Sequence, residues 1–220
     1  MKLCVLANLF GDLTLDQTLA KLKPLGVEAV EIGAGGFPGK NQCDPEVLLA
    51  DEAKLQEFID TFKKYDIELA ALACHGNPVH PDKAIAESFD RDFKNAVLLA
   101  EKVGVDTVIT FSGCPGGSPE DKTPNWATCA WPDDFLGVLD TKHYTDELNR
   151  SWVFRAVGYG HDAKWWKDIA SALRLVGYDK VMSIEHEDSL MSIEEGLEKA
   201  VETLKPCIIK SAKPSTISWA

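Results

Sequence analysis

The sequence predicts an α/β fold built on parallel strands. Three observations support this. Short apolar, β-compatible runs alternate with helical stretches through residues 1–111. The helical stretches open on capping signals, which satisfy free backbone N–H groups. The stretches between strands run to ten or more residues, which suits right-handed crossovers between parallel strands and not hairpins.

Each element can be justified in order. Lys2–Ala7 reads as a first strand. The N-terminal MKLCVLANLFGDL carries a single Lys and a short apolar run, so it is expected to be a strand and not a signal peptide. Thr14 and Gln17 form a capping box, and Leu15, Leu19 and Leu22 then recur at helical spacing. Gly26 ends that helix. Val27–Ile32 is the second strand, followed by a glycine-rich loop over Gly33–Gln42. Asp44-Pro45 starts one helix to about Tyr65, with Leu48, Leu55, Phe58, Ile59 and Phe62 inward. Ile67–Ala73 is the third strand. A helix from about Asp82 turns Ile85, Phe89, Phe93 and Val97 to one face. Val105–Phe111 is the fourth strand.

From Ser112 to His161 the rhythm stops, and no convincing helix is expected. Loops of this length are rare inside a compact domain. Order returns at Asp162, which caps a helix carrying Trp165, Trp166, Ile169, Leu173 and Val176 and stopping at Gly177. Lys180–Glu185 is the next strand. Ser192 and Glu195 open a last helix through Leu197, Val201 and Leu204, ended by Pro206. The expectation is five firm strands, a weaker one at Trp152–Val157, and five helices. A closed (β/α)8 barrel needs eight strands and about 250 residues.

Composition narrows the function. The chain has 220 residues, with 23 Lys+Arg against 35 Asp+Glu, a net charge of −12. Nucleic acids and anionic membranes are polyanions, so neither is an expected partner. No apolar run approaches the roughly 20 residues of a membrane span. Six cysteines at 4, 43, 74, 114, 129 and 207 form no C-x-x-C pair. They read as thiols in a reducing compartment, which makes the cytoplasm the expected location.

In parallel α/β folds the site lies at the carboxyl ends of the strands. Those ends carry Asn8, Glu31, Cys74-His75-Gly76-Asn77, Ser112-Gly113-Cys114 and Glu185-His186-Glu187-Asp188. Glu185 is the sharpest, because a carboxylate ending an apolar strand is costly unless a cation or hydrogen-bond donors meet it. Either it serves metal binding or catalysis, or it pairs with a cation such as Arg155. His75 is either bonded to its loop or a proton carrier near neutral pH. Glu31 is either ion-paired or at the substrate. Gly33–Gly39 lacks phosphate-loop spacing and reads as a flexible lid. His186, Glu187 and Asp188 read as a solvated turn. Arg155, ahead of Gly158-Tyr159-Gly160, suits an anionic or hydroxylated substrate.

Val27-Glu-Ala-Val-Glu-Ile32, Ala73-Cys-His-Gly-Asn-Pro78, Val157-Gly-Tyr-Gly-His-Asp162 and the run from Val176 to Glu185 together resemble the xylose isomerase-like TIM barrels, in their sugar phosphate isomerase/epimerase branch. The resemblance covers almost all of residues 1–135 and 137–208, leaving 209–220 as a tail of a single domain. It implies a (β/α)8 TIM-barrel-derived fold, incomplete here, with about five of the eight strands. It also implies a divalent cation (Mn²⁺, Mg²⁺, Co²⁺ or Zn²⁺) and proton transfer through an enediolate on a sugar or sugar phosphate. On that pattern Glu185 is a metal ligand and catalytic, His75 is catalytic and substrate-side, and Glu31 and Arg155 bind substrate. The family's strand-five Glu, strand-six Asp and strand-seven His have no counterpart. The chain passes from Phe135-Leu136 directly to Gly137, as if three βα units were deleted. His143, His161, Glu187 or Asp188 are the available replacement ligands. Open sheet edges would invite self-association, so a homo-oligomer is one expected state. The alternatives are a non-catalytic sugar-binding or self-associating remnant, and a metal-dependent dehydratase.

Overall fold

The computed structural model describes residues 1–124, 146–149 and 152–212. Expectations that fall on 125–145, on the Phe135–Gly137 junction and on His143 lie outside the described residues, as does the tail beyond 212.

Five strands are described: β1 (Lys2–Leu6), β2 (Ala29–Gly36), β3 (Glu68–His75), β4 (Val108–Ile109) and β5 (Val181–Ile184). They form one all-parallel sheet in the order β4-β3-β2-β1-β5, curled into a half-barrel. The helices among the described residues are α1 (Leu15–Leu25), α2 (Pro45–Ala50), α3 (Glu52–Tyr65), α4 (Lys83–Val103), α5 (Ala163–Leu175) and α6 (Ile193–Leu204). Short 3₁₀ turns follow β1 and α6, at Ala7–Phe10 and Lys205–Cys207.

The local signals work as expected at most helix starts. Thr14 and Gln17 close a full capping box, while Asp82, Asp162 and Ser192 each accept a backbone N–H of the turn they open. Gly26 ends α1 with φ +80°, a left-handed conformation that costs glycine little.

Four expectations are corrected. The stretch from Asp44 is two helices: Asp51 is extended, breaks the run and caps α3 through Ala53 and Lys54. β2 does not stop at Ile32 but runs on through the glycines to Gly36, paired with β3 as far as His75. α4 turns Asp92, Ala96, Leu99 and Ala100 inward, whereas Ile85 and Val97 are exposed. Its small residues set the packing distance, and β4 is only two residues long, too short to cover the larger ones. Trp152–Val157 forms no strand.

Strand residues alternate between two environments. Leu3, Val5, Val30, Ile32 and Leu72 face the helices and are fully buried. The alternate set faces the hollow of the half-barrel, where Cys4 stands opposite Ser183 and Leu6 opposite Glu31. The sheet edges β4 and β5 both line one hollow of about 560 Å³. Lys180 reaches across its base to Asp106, with Nζ to Oδ2 at 2.7 Å.

Candidate active site at the carboxyl end of the sheet

The register brings chemistry to one end of the sheet. On β3 the inward residues after Ala71 and Ala73 lead to His75. On β4, Ile109 pairs with Ala73, so two residues later Phe111 returns to the same face. The His75 and Phe111 rings stack at 4.7 Å with planes 16° apart. On β5, Met182 and Ile184 are buried outward, which leaves Ser183 and then Glu185 facing the hollow.

Asn8, Phe37, Pro38, His75, Phe111, Phe154, Glu185 and Glu187 surround a cavity of about 550 Å³. His75 is nine-tenths buried, and within the described residues its ring makes no hydrogen bond. Burial lowers its pKa, against a smaller opposing pull from Glu187. It is therefore a neutral imidazole at neutral pH, able to donate through one nitrogen and accept through the other. Partial burial raises the pKa of Glu185, and the negative charge of Glu187 raises it further.

Glu31 lies in the adjoining hollow with Cys4 and Ser183. It is 6% exposed, and its carboxylate accepts one hydrogen bond, from the Ser183 hydroxyl at 3.3 Å. Burial raises its pKa, Ser183 opposes this, and the charge of Glu185 adds to the rise. Among the described residues no ion pair holds it. Beside it, burial pushes the Cys4 thiol up to about 12, so Cys4 is no nucleophile at neutral pH.

Arg155 is not at this cavity. Its Nε lies 3.8 Å from Asp188 Oδ2, so it pairs neither with Glu185 nor with the cavity. The Asp188 side chain is fully buried and also accepts from the backbone N–H groups of Ala156 (2.7 Å) and Leu190 (2.9 Å). The expected solvated turn is thus corrected: Asp188 clamps the residues after β5 to segment 155–156. His186 is buried too. It fills the space above Gly196 of α6, where a Cβ would lie 2.0 Å from the ring, and neither ring nitrogen has a hydrogen-bond partner among the described residues.

The glycine-rich stretch is a fixed wall, which corrects its reading as a lid. Gly36 donates to Asp92 Oδ2 at 3.1 Å, and Lys40 holds the other oxygen at 2.8 Å. Gly36 has φ +65°, and a Cβ there would meet the His75 carbonyl oxygen at 2.0 Å. This close approach lets the Phe37 N–H donate to that carbonyl at 2.7 Å. Phe37 is thereby set 5.3 Å from Phe89 and 6.2 Å from Phe111, ring to ring. Asn77 and Cys114 exchange two hydrogen bonds, at 2.8 and 3.0 Å, and so fix the loop after β4.

Of the residues expected from sequence, His75 and Glu185 share the cavity, Glu31 sits in the hollow beside it, and Arg155 is elsewhere. Glu187, read as part of a solvated turn or as a replacement ligand, lines the cavity as well, whereas Phe37, Phe111 and Phe154 were not anticipated. Strand parity reaches Phe111 and Glu187. Phe37 needs the Gly36 geometry.

No family model matches the chain. A Bacillus subtilis (strain 168) protein described as uncharacterized protein YfiH is 26% identical over 313 aligned residues, covering 94% of this chain and 99% of that protein. The alignment is longer than the 220 residues here, so YfiH carries residues with no counterpart in this chain. A crystal structure of an uncharacterized protein from Parabacteroides distasonis ATCC 8503 is similar with a TM-score of 0.44 and 17% identity, over 94% of this chain and 98% of that one. The resemblance to xylose isomerase-like TIM barrels is corrected by these findings. No family model supports it, the relative's description assigns no activity, and the described sheet is a five-stranded half-barrel. A strand ending in Glu and a G-x-G-x-D turn are short local patterns that recur in parallel α/β chains, because the carboxyl ends of the strands collect polar residues.

Among the described residues no three His, Cys, Asp or Glu side chains converge as metal ligands. None of their helices is long and apolar enough to cross a membrane.

Proposed function

We propose that the cavity at the carboxyl end of the sheet transfers a proton on a small polyhydroxylated carbonyl compound, a sugar or sugar phosphate, as an isomerase or epimerase. One observation carries this reading: a carboxylate with a raised pKa and a neutral imidazole line the same cavity. A carboxylate of raised pKa is a stronger base, and a neutral imidazole can stabilise developing oxyanion charge by donating a hydrogen bond. Glu185 takes the proton from the carbon next to the carbonyl, and the electron pair moves to the carbonyl oxygen, which His75 hydrogen-bonds. In isomerisation His75 gives a proton to the former carbonyl oxygen and takes one from the adjacent hydroxyl, which becomes the new carbonyl, while Glu185 returns its proton to the former carbonyl carbon. In epimerisation the proton reaches the other face of the same carbon from water, and Glu185 releases the one it took to solvent. Glu31 and Ser183, one step deeper in the hollow, hold the substrate hydroxyls.

The expected divalent cation (Mn²⁺, Mg²⁺, Co²⁺ or Zn²⁺) would polarise the carbonyl. The described residues do not fit it by themselves, since Glu185 has no two further ligands beside it, and no step above depends on it. The finer reading of the fold, a (β/α)8-derived sheet, rests on the all-parallel order and on polar residues gathering at one strand end. A cytoplasmic location fits the five free thiols among the described residues, with burial pushing Cys43 to about 12 and Cys74 to about 11.

The test is proton exchange. Aldoses, ketoses and their phosphates are incubated with the protein in D₂O, with and without Mn²⁺, and followed by NMR. Deuterium is expected at the carbon beside the carbonyl, and Glu185→Gln should slow its entry by about 100-fold or more. Equal rates in the variant would sink the assignment. Ligand binding without exchange would favour the non-catalytic sugar-binding remnant. Loss of water from the substrate would favour the dehydratase.

A further inference from the structure

We infer that Asp188 is a positioning residue of this cavity: its buried carboxylate ties the segment that brings Phe154 to the wall onto the strand end that brings Glu185 and Glu187. The kinetic part of the test below rests on the activity proposed above, and the structural part does not.

The two stretches of wall are held in different ways. Residues 185–188 alternate, with Glu185 and Glu187 on the cavity and His186 and Asp188 buried beneath them. They continue β5, which pairs with β1 as far as Ile184, and the His186 ring rests against Gly196 of α6. Sheet and helix together fix this strand end. Residues 152–156 belong to no strand or helix. Individual hydrogen bonds and packing contacts must therefore set where Phe154 stands.

Asp188 supplies such a bond at the right place. Its side chain is fully buried. Oδ2 accepts from the Ala156 N–H at 2.7 Å, and Oδ1 accepts from the Leu190 N–H at 2.9 Å. Ala156 is itself buried, and its carbonyl accepts from the Tyr159 N–H at 2.9 Å. A buried backbone N–H needs a partner, so segment 154–156 stays in register with the strand end only while Asp188 accepts from it. The Leu190 bond turns the carboxylate toward that task. Both oxygens of a carboxylate accept, so one side chain holds two donors. An amide of nearly the same shape has one accepting oxygen and a nitrogen that only donates. Arg155 is the lesser contact, since its Nε is 3.8 Å away and its side chain is 39% exposed.

Asp188→Asn therefore removes the double acceptor and keeps the volume. Amide hydrogen exchange by NMR should find Ala156 and Leu190 protected in the parent. In the variant at least one of the two should exchange about tenfold faster, with the amides of β1 and α1 unchanged. The ring resonances of Phe154 should move. Arg155→Ala should leave the Ala156 amide protected. In the D₂O assay with sugars, Asp188→Asn should raise KM and lower kcat, each about fivefold. A purely structural role would lower the amount of active protein, and so the apparent kcat, with KM unchanged.

An unprotected Ala156 amide in the folded parent overturns the inference without any variant. So do unmoved Phe154 resonances in Asp188→Asn, loss of protection in Arg155→Ala equal to that in Asp188→Asn, or an unchanged KM. A parent that exchanges no substrate proton removes the proposed activity, while the amide and ring measurements still decide the role of Asp188.

Discussion

The two faces of the sheet are built from alternate residues of the same strands, yet they do opposite things. The helix-facing set is Leu3, Val5, Val30, Ile32 and Leu72, all fully buried. Each such side chain contributes about 1.5–3 kcal/mol by leaving water. The hollow-facing set puts Cys4, Glu31, Ser183, Glu185 and His75 beside Leu6, Ala71 and Ala73, and it buries a carboxylate with one weak donor. One face holds the fold together and the other carries a cost where chemistry is proposed. The strand period of two is what allows both within five or six residues.

The largest effect should come from the helix-facing side. Ile32→Ala removes a fully buried side chain between β2 and the helices, and urea denaturation should show a loss of about 2–5 kcal/mol. A loss below about 1 kcal/mol would mean that this face is not the principal source of stability.

A smaller effect of opposite sign belongs to Glu31→Gln. The Glu31 pKa is raised in the folded chain, so folding favours its protonated form. Its contribution to stability is therefore fullest below the unfolded carboxyl value and falls as pH rises through the folded one. Above that value the native state carries a buried charge that the variant lacks. The variant should melt higher than the parent at pH 7 and match it near pH 4. A parent that gains stability between pH 4 and 7 relative to the variant would invert the comparison. The smallest effect should be Lys180→Ala, which breaks an exposed bridge across the base of the hollow. Its midpoint shift should be slight in low salt and vanish in high salt, and a shift that persists would show that the bridge does more than pair two solvated charges.

Much of the scaffold was legible because its signals are local. Thr14, Asp82, Asp162 and Ser192 cap the turns beside them, and no distant contact is needed to read that. What failed depended on tertiary geometry. Gly33–Gly36 have no side chains to reveal a strand, and they form one because β3 pairs with them. Ile85 and Val97 suggested an inner face for α4, but what packs is Ala96, Leu99 and Ala100. In the site, the rule that polar residues gather at the carboxyl ends of parallel strands picks out His75, Glu31 and Glu185, and the register turns all three to the hollow side. Arg155 pairs with Asp188, 33 residues away beyond α5 and β5, a contact that no local pattern announces. Asp188 looked like a solvated turn residue only because nothing in its immediate sequence announces the backbone N–H groups it accepts.

The pairing of β1 with β5 has a consequence for synthesis. Of the described strands β1 is made before the others; its neighbour on one side, β2, follows within about thirty residues, and its neighbour on the other side begins at Val181. A chain leaving the ribosome can pair β1 through β4 in sequence, but it must carry the far edge of β1, with Cys4 and Val5 on it, unsatisfied until β5 emerges. The last strand to emerge completes a ladder begun by the first. Premature termination anywhere before β5 would therefore release a four-stranded intermediate whose exposed edge is the protein's own first strand, the kind of surface that chaperones hold and aggregates recruit.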